Sequence, residues 1–113
     1  MPRYMYHWTP AVNLASIAQT GLDPAYATGK RATVWMADET RALWAVAHAA
    51  MHQRCGPDEM VCVRVRVDGL RLTRTGWTGV MTSDKLIAPS RLSVVSVAFG
   101  RRGKSLRSVV SGQ

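Results

Sequence analysis

The chain has 113 residues, with 15 Lys and Arg against 7 Asp and Glu, so its formal net charge is +8. That length suits one domain, and a hydrophobic fraction of 47% excludes wholesale disorder. No apolar run approaches the ~18 residues of a membrane helix, and Met1–Tyr4 lacks the apolar stretch of a signal peptide. Two cysteines, Cys55 and Cys62, are too few for a disulfide scaffold. A soluble, cytoplasmic, basic domain is expected, with no membrane partner.

Arg3–Trp8 is aromatic and reads as a first strand. Thr9-Pro10 follows as an N-cap and first helical position. Leu14 and Ile17 then form the apolar face of a short helix, which Gly21 closes. Residues 22–32 carry turn formers and basic groups and read as a loop. Thr33–Ala37 reads as a short buried strand. Asp38 is the expected N-cap of a second helix, in which Leu43, Val46, Ala47, Ala50 and Met51 recur at helical spacing. Gly56-Pro57 ends it.

Met60–Asp68 is the clearest strand. Val61, Val63, Val65 and Val67 point one way, and Cys62, Arg64 and Arg66 the other. Leu70–Thr73, Val80–Ser83 and Leu92–Phe99 complete the strands. Two helices and mostly antiparallel strands make an α+β domain over residues 1–99. Residues 100–113 hold Arg101, Arg102, Lys104 and Arg107 and no acid, and read as a basic flexible tail. Half of the net charge therefore lies outside the expected domain. Such a tail attracts nucleic acid or simply solubilises the terminus.

Three constellations bear on chemistry. Tyr6-His7-Trp8-Thr9 places an imidazole beside a hydroxyl at a strand end, suited to holding a ribose or an amide, or to packing within an aromatic cluster. Lys30-Arg31 precedes a strand carrying Trp35, so that a phosphate clamp lies beside a stacking face; a solvated loop and a core tryptophan are the plainer reading. His48, His52, Cys55 and Cys62 are four potential metal donors. Their spacing is not that of a zinc finger, and no metal is expected. Glycine-rich phosphate loops and serine nucleophile elbows are missing, and seven acids argue against paired-carboxylate hydrolysis.

Taken in order, the motifs resemble the ADP-ribosyltransferase fold, in particular its tRNA 2′-phosphotransferase-like and DNA-modifying branches. Tyr6-His7-Trp8-Thr9 is similar to the family's first-strand motif, with Trp8 where a glycine is usual. Asn13-Leu14, Ile17 and Gly21-Leu22 resemble the helix that follows. Arg31-x-x-Val34-Trp35-Met36 resembles the second motif. Gly79–Asp84 and Ile87–Leu92 resemble the closing strand and turn. The likeness covers about residues 4–95.

This resemblance implies a small split β-sheet with two helices around a cleft for NAD. Within it, His7, Trp8, Thr9, Arg31 and Trp35 would contact NAD. His7, Arg31, Trp35 and Asp84 would carry the chemistry. Asp84 is the carboxylate nearest the third motif, which holds no glutamate. The expected activity is ADP-ribosyl transfer to a nucleic-acid or protein acceptor, with Arg64, Arg66, Arg101, Arg102 and Lys104 meeting the nucleic acid. The competing expectations are an inactive module of the same fold that binds nucleic acid or a protein, and an unrelated small α+β nucleic-acid binder.

Overall fold

The computed structural model of the protein describes residues 3–26, 33–95 and 104–105. Its strands are β1 (Tyr4–Pro10), β2 (Val34–Ala37), β3 (Met60–Arg66), β4 (Thr73–Arg74), β5 (Val80–Ser83), β6 (Leu92–Val95) and β7 (Lys104–Ser105). Helices α1 (Leu14–Thr20) and α2 (Ala42–Gln53) lie between the first three strands. The strands form one antiparallel sheet in the order β4-β5-β2-β1-β3-β6-β7. The α+β class expected from the sequence is the class observed. Among the described residues, no helix is long and apolar enough to cross a membrane.

Strand alternation assigns each face its own core. On one face, Met5, Val34, Met36, Val63, Val65 and Leu92 pack with Leu14 and Ile17 of α1 and with Leu22 and Ile87. Each such aliphatic side chain contributes about 1.5–3 kcal/mol on full burial. On the other face, Tyr6, Trp8, Met60, Cys62 and Val95 receive Ala42 and Ala50 of α2. Here the aromatics come from the sheet and the small residues from the helix, so the two elements approach closely. Met51, expected on the helix's apolar face, is 78% exposed, because the alanine stripe is what meets Tyr6 and Trp8.

Gly21 ends α1 as expected. Its φ is +85°, and its backbone N–H donates to Ile17 O at 2.7 Å. A Cβ there would collide with the Ile87 carbonyl, which instead lies close enough for Leu22 and Ile87 to exchange two hydrogen bonds of 2.9 and 3.0 Å. This pairing draws the segment after β5 onto the first core.

Four boundaries differ from expectation. Thr9 and Pro10 belong to β1, not to a helix start, since they pair with Val61 and Met60; a 3₁₀ turn at Ala11–Asn13 intervenes before α1. Asp38 caps a turn that precedes α2: its Oδ1 accepts from the backbone N–H of Thr40 and Arg41 at 3.0 and 3.2 Å, and the helix begins at Ala42. The expected strand at Leu70–Thr73 pairs only from Thr73. Before it, a turn is held by Arg91, whose Nη1 donates to the carbonyls of Arg66 and Asp68 at 2.9 and 2.7 Å. The region expected as a tail contributes β7, because Lys104–Ser105 pair with the otherwise open edge of β6. Residues 96–99, expected to prolong β6, lie outside the described residues.

Candidate active site

The two edges of β1 are not equivalent. Every residue from Tyr4 to Pro10 has a partner on β3. Toward β2 the register is shared at a single pair, Tyr6 with Ala37. The sheet therefore divides into β4-β5-β2 and β1-β3-β6-β7, joined at that pair, and opens beyond it toward the end of β1 and the start of β2.

His7 stands where the halves part. Its Nδ1 lies 2.8 Å from the Trp35 carbonyl oxygen. A carbonyl only accepts, so Nδ1 carries the proton and donates. A side chain thus takes a backbone acceptor that a fully paired β1 would have taken. Burial pushes the His7 pKa below the ordinary histidine value, and the bond to Trp35 opposes this shift in part. The ring is accordingly neutral at pH 7, with the lone pair on Nε2. A hydroxyl or amide N–H is the chemistry that lone pair can receive.

Other expected site residues gather around this opening. Thr9 is buried two residues along the same face, and its Oγ1 accepts from Asn13 Nδ2 at 3.1 Å. Trp35, expected in a buried strand, is 50% exposed, although Val34, Met36 and Ala37 beside it are buried. Thr82 of β5 lies opposite Trp35 and Ser83 opposite Val34. Asp84 follows directly and is exposed. Topology alone brings the end of β1, the start of β2 and the end of β5 to one end of the sheet. His7, Thr9, Trp35 and Asp84 are all carried to that end, with His7 and Thr9 on the face of Met5 and Val63 and Trp35 on the opposite face, that of Tyr6 and Ala37.

Trp8 is placed differently. Period-two alternation turns it, like Trp35, to the face opposite His7, but there it is buried. Its Nε1 donates to Ala42 O of α2 at 2.6 Å. The indole holds the helix on the sheet rather than lining the opening. Arg31 lies outside the described residues, as do Arg101 and Arg102; of Lys104, only its backbone position opposite Val94 is described.

Arg64 and Arg66 share the Trp8 face, opposite Tyr6 and Tyr4. The Arg64 guanidinium sits 4.6 Å from the Tyr4 ring centroid, and Arg66 Nε lies 3.4 Å from Asp68 Oδ1. Arg66 thus has an ionic partner and Arg64 a ring partner, while Arg64 Nε is buried with no hydrogen-bond partner among the described residues. The four potential metal donors are dispersed in character. Cys62 is buried in the second core, its thiol pushed up to about 12 by burial. Cys55 Sγ lies 3.2 Å from Met60 Sδ. His48 and His52 are on the outward side of α2.

Two features escaped the sequence reading. Thr33 Oγ1, at the start of β2, is buried without a hydrogen-bond partner among the described residues. A lone threonine before a β-branched run gives no signal of this, since it depends on what covers it. The second is an exposed ring cluster of Trp44, His48, His52 and Trp77. Its i, i+4, i+8 spacing along α2 was visible, but Trp77 joins only through the fold. Neither protein-family models nor curated proteins yield a match to this chain.

Proposed function

We propose that the protein transfers ADP-ribose from NAD to a nucleic-acid or protein acceptor. The observation that carries this reading is the His7–Trp35 bond across the parted strands. It orients the imidazole so that Nε2 can accept from a ribose hydroxyl or the carboxamide of the nicotinamide side. At the same end of the sheet, on the face opposite His7, the half-exposed indole of Trp35 offers a surface to a planar ring. The Thr33 hydroxyl, unpartnered among the described residues, offers a buried polar contact beside it. Arg31, two residues before Thr33, would hold a phosphate, as the family resemblance implies.

NAD, when bound, supplies the activated bond between nicotinamide and ribose. The chain's own residues would hold that bond in place, keep water from it and leave one side open to an acceptor. His7 orients, Trp35 stacks, and Asp84 is the carboxylate available near the end of β5.

The second reading is an inactive module of the same fold, which binds nucleic acid or a protein. It draws on β5 itself. Thr82 and Ser83 are buried, no glutamate follows, and the Ser83 hydroxyl is spent on the Lys85 backbone at 2.9 Å.

One experiment separates the two. Purified protein is titrated with NAD by calorimetry, then incubated with ADP-ribose-labelled NAD and with single-stranded DNA, RNA and protein acceptors. The transferase reading expects NAD binding, label transfer, a roughly tenfold loss of NAD affinity in His7→Ala, and loss of transfer in that variant. NAD binding with no transfer to any acceptor leaves the inactive module. Absence of NAD binding by the parent protein overturns both the NAD site and the transferase reading.

A further inference from the structure

Four aromatic rings lie together on the surface between α2 and the turn that enters β5. Trp44 and Trp77 are 47% and 50% exposed. They meet edge to face, with centroids 5.3 Å apart and planes at 88°. His48 stacks beside Trp44 at 5.7 Å and 13°, and stands at 85° to Trp77. His52 continues the row, 4.6 Å from His48. Two sets of ring planes at right angles thus form an open corner. A cavity of about 460 Å³ lies there, lined by Arg41, Trp44, Gly76, Trp77, Thr78 and Val80.

The corner is held in shape by the Thr75 hydroxyl and by one backbone bond. Trp77 N–H donates to Thr75 Oγ1 at 3.1 Å, and Thr75 Oγ1 donates to Val80 O at 2.7 Å. Asp38 N–H donates to Gly79 O at 2.7 Å, tying this turn to the approach to α2. Gly79 has φ of +81°, and the Asp38 carboxylate stands where its Cβ would be. Rings presented on a braced turn lose little further freedom when a ligand arrives.

Charge selects among ligands. The lining carries one charge, and it is positive. The Asp38 carboxylate packs against Gly79 beside the lining, but its Oδ1 is engaged by Thr40 and by the Arg41 backbone. With a net charge of +8 besides, a cationic guest on the indole faces is disfavoured. A flat ring attached to a negative backbone suits both the ring faces and Arg41. Duplex nucleic acid keeps its bases stacked inside, whereas a single strand offers them. We propose that the Trp44–Trp77 corner is a base-stacking site for single-stranded nucleic acid, with Arg41 at a neighbouring phosphate.

The corner shares its sheet face with Trp35, the face opposite His7. Val80 pairs with Ala37, and Thr82 with Trp35, so Val80 and Trp35 share a sheet face one pleat apart. That step is about 7 Å, close to one nucleotide. A strand seated in the corner therefore runs toward Trp35. The proposal rests on ring geometry and charge, not on the transferase reading.

The test is fluorescence anisotropy with labelled oligodeoxythymidine, oligouridine and a duplex of equal length, without NAD. The parent protein is expected to bind at least one single strand more tightly than the duplex. Trp77→Ala should weaken single-strand binding roughly 5- to 100-fold and leave duplex binding unchanged. Trp77→Phe, which keeps a ring, should lose less. Arg41→Ala should reduce the salt slope by about one. The two single strands decide between DNA and RNA. Equal binding of duplex and single strand, no saturable binding of either strand, or a Trp77→Ala protein that binds like its parent overturns the proposal and leaves the corner to a protein or sugar ligand. Since NAD is absent throughout, this outcome is read independently of the transfer assay.

Discussion

Strand β1 has two edges with opposite assignments. Its β3 edge is paired along the whole strand, and its β2 edge shares one register pair before the sheet opens. The paired edge secures the fold, since each backbone group finds a partner and the side chains of both strands fill two cores. At the open edge, a backbone acceptor is met by an imidazole instead. One strand therefore serves as the centre of the sheet and as one wall of a candidate site. The difference is a matter of register and not of composition, because both edges belong to the same seven residues.

Breaking the paired side should have the largest effect. Met5 is 1% exposed beside Val63 and Val65 in the first core. Met5→Ala is expected to cost about 2–5 kcal/mol, read as a lower midpoint in urea unfolding. The second core offers a narrower probe. Trp8→Phe keeps a ring but leaves the Ala42 carbonyl without its buried donor. A loss of about 1–3 kcal/mol is expected, with the sheet retained by circular dichroism.

The open side should respond least in stability and most in pH dependence. His7 is held below its ordinary pKa of 6.5 by burial, so the unfolded chain binds its proton more readily than the folded one. Stability then rises with pH through that range, is fully present above about 6.5, and declines as the pH falls below it. His7→Gln should flatten this part of the Tm–pH profile while costing on the order of 1 kcal/mol at pH 7. An unchanged profile would place the titration elsewhere and remove the argument for a neutral, Nδ1-protonated ring.

Several elements were legible along the chain. The Val61-Val63-Val65-Val67 alternation specifies β3 and its inward face, because a strand's side chains repeat every two residues. Leu14, Ile17 and Gly21 delimit α1, since helical spacing and a left-handed glycine are local properties. Val80–Ser83 was recovered residue for residue. The boundaries that moved were decided by distant partners. Thr9-Pro10 looks like a helix start until Val61 and Met60 pair with it. Lys104–Ser105 looks like tail until the edge of β6 meets it.

The candidate site divides in the same way. His7, Thr9, Trp35 and Asp84 were visible as residue types near strand ends, and topology brings those ends to one end of the sheet. That Trp8 turns to α2, that the Thr33 hydroxyl has no partner among the described residues, and that Trp77 meets Trp44 all follow from long-range packing.

By itself, then, the chain determined the α+β class, the alternation that gives the sheet two apolar faces, and the excess of positive charge. Those are properties of short windows and of composition. Tertiary structure alone decided where the sheet opens and which tryptophans remain in water. Both depend on register and on what lies across a face, and a difference of one residue in pairing reverses which face a side chain occupies.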